Sequence, residues 1–244
     1  MRSWYYPLAS ISSIILIWQM GVWISSAPSY ILPAPVDVIL SFIDNWQLIL
    51  EHTIVTVTEV LLGLFFGISL GFITALYLET SKKAVLFLRP VLIFSQAIPV
   101  FALAPLLTLW LGYGIISKVV MAILIIYFPV TSSFYDGLTK TPRSFLDLAQ
   151  TMGSTKSRIL YYIKIPAAIP SLFTGIRLAA VYAPIGATIG EWVGSSQGLG
   201  YLMLLANGRV KIDLMFASLL TLGFISIGLY GIVSFILNKI SSHY

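Results

Sequence analysis

Side chains able to make or break bonds are few and scattered in this chain. His52 and His243 lie far apart, no His-Glu-x-x-His or paired-aspartate motif occurs, and there is no cysteine. Metal hydrolysis of that type, thiolate catalysis and disulfides therefore lack their groups. No Gly-x4-Gly-Lys-Ser/Thr loop is present to cradle and hydrolyse ATP. The chain does carry acids inside apolar runs, and ionisable groups at membrane depth are functional candidates by default. Glu59, with Thr56 and Thr58 beside it, is expected near the outer end of its segment, either reaching interfacial water or bordering a pathway. Glu191 follows Pro184, Gly186 and Gly190 and precedes Trp192. It is expected to bond a neighbouring helix or backbone donor, with a place beside a pathway as the alternative.

One long polar stretch, Asp136 to Pro170, interrupts the apolar segments. Ser144 with Asp147 three residues on predicts a capping box. Phe145, Leu148, Ala149 and Met152 then fall at i, i+3, i+4 and i+7, one apolar stripe on a short helix. Gly153 is expected to stop that helix. Ser154 or Thr155 is expected to cap a second helix that carries Ile159, Leu160 and Ile163 on one side and ends at Pro166. Such a hairpin between spans presents an apolar face to a partner.

The elements holding these residues follow from composition. The chain is 58% hydrophobic and 9% charged with a mean hydropathy of +0.95, against about 25% charged residues in soluble domains. A span needs roughly 20 mostly apolar residues. Such runs occur at Leu8 to Ile24, Val55 to Leu78, Ala84 to Leu111 with prolines inside it, Ile115 to Tyr135, Ser171 to Val193 and Leu214 to Leu237. The fold class is all-α, a polytopic membrane protein of about six helices. A single domain over 1–244 is expected, with the polar loop at about 136–170. β-barrel spans are excluded because the runs are too long and too uniformly apolar.

Orientation follows the excess of Lys and Arg near cytoplasmic span ends. With the N-terminus inside, Arg2, Lys82, Lys83, Arg89, Lys140, Arg143, Lys156, Arg158, Lys164, Arg177 and Lys239 lie at or near the cytoplasmic side, and Lys118, Arg209 and Lys211 fall outside. Asp37, Asp44 and Glu51 occupy the outer loop between the first two spans. The net charge of +5 is thus topological, with no stripe suited to nucleic acid. The start of the chain also resembles a secretory signal, Arg2 then an apolar run and Ser25-Ser26-Ala27. The run is longer than most signal cores, and Trp4-Tyr5-Tyr6 suits the aromatic belt of a retained helix.

Gly63, Gly67 and Gly71 line one helix face, a small-residue spacing that lets backbones approach, within the chain or across a dimer seam. Pro90, Pro99 and Pro105 predict a broken third segment. Irregular backbone at membrane depth is tolerated where it is buried in protein or lines a cavity. Gln96, Pro99 and Phe101 are therefore candidate pathway contacts, with a packing kink as the alternative. Gly194 to Asp213 is expected to hold a short re-entrant or interfacial helix.

The polar loop resembles the signature of the membrane-spanning permease subunits of binding-protein-dependent ABC importers. That signature reads Glu-Ala-Ala, three residues, Gly, nine residues, Ile, any residue, Leu-Pro. Asp147, Leu148, Ala149, Gly153, Ile163, Ile165 and Pro166 stand at the same spacing, with Asp for Glu, Leu for the first Ala and Ile for Leu. The resemblance implies a type I importer permease fold in the cytoplasmic membrane, with the loop as coupling helices docked on an ATPase subunit. The implied docking residues are Phe145, Asp147, Leu148, Ala149, Met152, Gly153, Ile163 and Pro166. The implied partners are two ATPase subunits using ATP and magnesium, an external substrate-binding protein and a second permease copy in a homodimer. This chain itself would hold no cofactor or metal and would not be an enzyme.

Pro99 to Leu106, Trp110 to Gly114, Gly190-Glu191 and Gly198-Leu199-Gly200 resemble the nitrate, sulfonate, taurine and thiamine-precursor branch. A thiamine pyrimidine precursor suits the aromatic-rich segments and the scarcity of buried cations, with a sulfonate-, taurine- or nitrate-type anion as the alternative. A polytopic enzyme or a stand-alone secondary transporter is the rival from another class. The first lacks a ligand cluster, and the second lacks a clear internal duplication.

Overall fold

The computed structural model describes residues 5–241, and all regular structure among them is helical. Arg2, Trp4 and His243 lie outside the described residues. Lipid offers no partner for backbone N–H and C=O groups, and a helix satisfies them within one segment. The chain opens with α1 (Tyr5–Ser25) and the short α2 (Pro35–Asp44). Pro35 occupies the first turn of α2, and Asp37 accepts from the Ala34 N–H at 3.2 Å. Both are helix-start signals. The long α3 (Trp46–Thr80) has 35 residues, about 50 Å at 1.5 Å per residue, so it extends beyond a hydrocarbon layer of about 30 Å.

The third apolar segment is broken as its prolines predict. α4 (Lys82–Ala97) and α5 (Val100–Leu111) meet at 102° across Ile98-Pro99. Pro99 removes a backbone donor and holds Ile98 in an extended conformation, with ψ at 123°. Next come α6 (Ile115–Thr139), α7 (Arg143–Thr151), α8 (Lys156–Ile159), α9 (Ile165–Gly194), α10 (Leu199–Gly208) and α11 (Ile212–Ser241). Four helical stretches are long and apolar enough to cross a membrane, and the bent pair makes a fifth if it counts as one span. The expected sixth run, Leu8 to Ile24, falls in α1, a helix of 21 residues.

The core is a three-helix unit of α3, α6 and α9. Its closeness is set by residues without side-chain bulk. A Cβ at Gly63 would stand 2.6 Å from the Ala122 Cβ, and one at Gly71 would stand 2.9 Å from the Val130 Cβ. The Gly63-Gly67-Gly71 face is therefore occupied by α6 of the same chain, the intramolecular of the two readings. α9 adds Ala179, Ala183 and Ala187, all fully buried with Val60, Leu64, Ile126 and Val130. In lipid, where apolar surface gains nothing by leaving solvent, this close contact supplies the attraction. Toward the loop end, Phe72 stacks on Phe134 with ring centroids 4.9 Å apart, beside Ala75, Leu138 and Ala168. At the other end, α10 buries Leu199, Leu202, Met203 and Ala206 against Val38, Ile49, Leu214 and Ala217. α11 lies outside the trio, and no residue of its most apolar window is fully buried within the chain.

A Cβ on Gly186 would stand 2.6 Å from the Ala122 Cα, a backbone atom that cannot swing aside. Gly186→Ala is expected to destabilise the bundle by about 1–3 kcal/mol. Gly223→Ala, with nothing within 4 Å of the added Cβ, is expected to leave it unchanged. Thermal unfolding of the two variants in detergent measures the difference, and equal melting would remove the tight α6–α9 contact from the account.

Candidate functional site

The polar loop forms a helix, a tight turn and the start of a second helix. α7 begins directly after Pro142, whose carbonyl accepts from the Phe145 N–H at 3.2 Å. Ser144 is thus inside the first turn and is not the cap that its spacing with Asp147 predicts, because Pro142 already fixes the entry. Asp147 is exposed and makes no hydrogen bond or ion pair among the described residues. At the C-terminal end, the Ser154 N–H donates to the Ala149 carbonyl at 2.9 Å and the Gly153 N–H donates to the Gln150 carbonyl at 2.9 Å. This paired closure needs a left-handed residue, and Gly153 supplies it with φ +74°. Thr155 then caps α8, its hydroxyl accepting from the Arg158 N–H at 3.4 Å.

The second half departs from expectation. Pro166 does not end a helix. Lys156–Gly194 is one continuous 39-residue helical stretch, with a π-helical turn at Leu160–Lys164 between α8 and α9. Pro166 lacks the N–H that would bond the Tyr162 carbonyl, and its ring crowds that carbonyl. The wider π turn just before it takes up the misfit, so the second helix of the loop runs into the span without a break.

On α7 the predicted stripe divides between two sides. Phe145, Leu148 and Met152 are 56%, 59% and 77% exposed, whereas Ala149 is 6% exposed. Ala149 lies on the body side of the stripe, so it supports the free face and is not part of it. Ile163 and Pro166 are half-buried in the π turn and the start of α9. Tyr161 and Tyr162 add exposed aromatic surface nearby.

At the opposite end, Glu191 is 1% exposed. The Thr56 hydroxyl donates to its Oε1 at 2.6 Å, and its Oε2 accepts from the Gly200 N–H. His52 Nδ1 accepts from the Gly198 N–H at 2.9 Å, and the Thr56 Oγ1 accepts from the Leu199 N–H at 2.8 Å. Three successive amides opening α10 are thereby satisfied by side chains from α3 and α9, with a carboxylate at the positive helix end. Gly198, at φ +103°, packs against the Glu191 carboxylate, leaving no room for a side chain. The bond to backbone donors expected of Glu191 is present. The roles of His52 and Thr56 escaped the sequence reading. Their spacing of one helical turn on α3 is the signal that could have drawn attention to them.

One expectation about charge is corrected here. Glu59 is 2% exposed and lies beside Glu191 and Lys118, so it does not reach interfacial water. Lys118 is 1% exposed, and its Nζ donates to the carbonyls of Tyr113 and Gly194, each at 2.7 Å. It ties the α5–α6 turn to the end of α9. Buried positive charge is therefore present, but in company with two carboxyl groups.

Gln96, Pro99 and Phe101 sit together at the α4–α5 elbow, all exposed. Near the far end of α5, Thr108 packs against Gly194, close to the Glu191 network. Val100 is eight residues earlier, so the elbow lies about 12 Å of helix away from that network. The structure groups three of the four predicted pathway residues and holds Glu191 apart in a closed lock.

The arrangement has counterparts. Residues 67–243 match the family model described as "Binding-protein-dependent transport system inner membrane component". A "Probable ABC transporter permease protein" of Haemophilus influenzae is 49% identical over 96% of this chain and 95% of its own length. The formylaminopyrimidine transport permease protein ThiX of Halalkalibacterium halodurans is 39% identical over 77% of this chain and 75% of its own. The riboflavin transport system permease protein RibX of Chloroflexus aurantiacus is 35% identical over 89% of this chain and 82% of its own. Among solved structures, an inward-facing form of the MetNI methionine ABC transporter superposes with a TM-score of 0.70 at 17% identity, covering 81% of this chain and 98% of that one. The chain belongs to the family of binding-protein-dependent ABC transporter permeases and has their helical membrane fold.

Proposed function

We propose that this permease imports a small flat nitrogen heteroaromatic, of the thiamine pyrimidine-precursor class, across the cytoplasmic membrane. An external binding protein delivers the cargo, and two separate ATPase subunits drive a permease homodimer between outward- and inward-open states. The N-terminus and the α7–α8 loop face the cytoplasm, and one domain spans 1–244. The observation that carries the coupling role is the free apolar face Phe145, Leu148 and Met152 on α7, closed off by the Gly153 turn. Asp147, unbonded beside it, is available to a donor on the ATPase, and Ile163 and Pro166 anchor the loop to the span. Cargo passes the elbow at Gln96, Pro99 and Phe101, while Glu191 borders the outer end from within its lock. ATP and magnesium act on the partner subunit.

Two relatives support the cargo class, since the names of ThiX and RibX assign them a pyrimidine and a flavin. The buried charge points the same way. Lys118 stands beside Glu59 and Glu191 with its Nζ already donating to the Tyr113 and Gly194 carbonyls, so it is not a free cation placed to receive an anion. The alternative cargo is a sulfonate, taurine or nitrate.

Leu148→Asp with Met152→Asp is expected to abolish co-purification of the ATPase subunit and lower import at least tenfold, at normal membrane expression. Retained ATPase and normal import would remove α7 as the docking face. In proteoliposomes holding the complete transporter, excess unlabelled formylaminopyrimidine is expected to be imported and to compete with hydroxymethylpyrimidine, whereas taurine should leave uptake unchanged. Uptake of taurine in place of the pyrimidines would overturn the cargo assignment.

A further inference from the structure

We infer that the Glu79–Lys164 ion pair is the positioning contact that turns displacement of the coupling loop into movement of α3. The inference rests on the coupling role proposed for α7. Lys164 is the last residue of the π turn, Glu79 is the penultimate residue of α3, and the Lys164 Nζ donates to the Glu79 Oε1. The side chains are 20% and 13% exposed and stand 85 residues apart in sequence. By contrast, the Lys140–Asp136 pair lies within one helix end, with side chains 79% and 52% exposed.

Three features give the pair this role. First, α7 does not press on α3 directly, because a recess lined by Glu79, Leu146, Gln150, Lys156, Ser157 and Lys164 lies between them. Push or pull on α7 reaches the bundle through its two chain connections, residues 140–142 to α6 and the turn at Gly153 to the Lys156–Gly194 stretch, and the second of these carries Lys164. Second, the apolar contacts there, Leu160 and Ile165 against the cluster of Ala75 and Phe134, are non-directional and permit sliding. A charge-assisted hydrogen bond is directional and does not. Third, the π turn is where the hydrogen-bond pattern of this helical stretch changes, with Pro166 and Pro170 each lacking a backbone donor just beyond it. Bending concentrates at such a turn, and Lys164 ties that point to α3.

The whole transporter, with its ATPase and binding protein, is reconstituted in proteoliposomes, and cargo import and ATP hydrolysis are measured together. Glu79→Gln and Lys164→Met are each expected to retain the ATPase subunit and to hydrolyse ATP, but to raise the ATP consumed per cargo imported about tenfold. A contact that only stabilised the fold would lower yield and both rates together, leaving that ratio unchanged. The chain has no native cysteine, so Glu79→Cys with Lys164→Cys can be bridged by a short bifunctional thiol reagent. Bridging is expected to restore the wild-type ratio. An unchanged ratio in the single variants, or a bridged pair as uncoupled as the unbridged one, would overturn the inference. A wild-type complex that failed to import at all would instead count against the proposed function.

Discussion

Everything else in this chain hangs on how closely α6 can approach α3 and α9. In lipid no hydrophobic drive pulls apolar helices together, so contact area and backbone proximity decide the packing. Gly63 and Gly71 receive Ala122 and Val130, and Gly186 brings α9 onto the backbone of Ala122. The buried alanines 179, 183 and 187 complete the seam. This trio fixes where the loop emerges at one end and where Thr56, Lys118 and Glu191 meet at the other.

The two ends are built on different physics. At the end away from the loop, polar groups close on one another. His52, Thr56 and Glu191 take the first amides of α10, and Lys118 takes two carbonyls at the α5–α6 turn and the end of α9. These bonds are buried, which makes them strong and costly to leave unmade. At the loop end, apolar groups are left open on α7 and the Glu79–Lys164 ion pair crosses to α3. A closed lock at one end with an unpartnered face at the other is what a subunit needs if force arrives from the loop side.

Local chemistry was legible from the residues, and long-range company was not. Gly153 as the helix stop, Thr155 as a cap and Pro99 as the break each depend on a few neighbouring residues, and each is present. The glycine face of α3 was visible too, though not which helix would fill it. Ser144 misled because Pro142 sets the helix start two residues earlier. Pro166 misled because a π turn, which no local pattern announces, absorbs the missing bond. The settings of Ala149, Glu59 and Lys118 depend on segments distant in sequence, so spacing alone could not show which of them would be buried. Six apolar runs were readable, yet hydropathy does not distinguish a straight span from a pair of helices bent by 102°.

The central claim is that the free face of α7 lies in the cytoplasm and is covered by an ATPase subunit. Because the chain has no cysteine, a single Met152→Cys can be labelled with a membrane-impermeant thiol reagent in oriented vesicles, with and without the ATPase. The account predicts labelling only from the cytoplasmic side and at least tenfold protection once the ATPase is bound. Labelling from the outer side, or equal labelling in the presence of the ATPase, would contradict it.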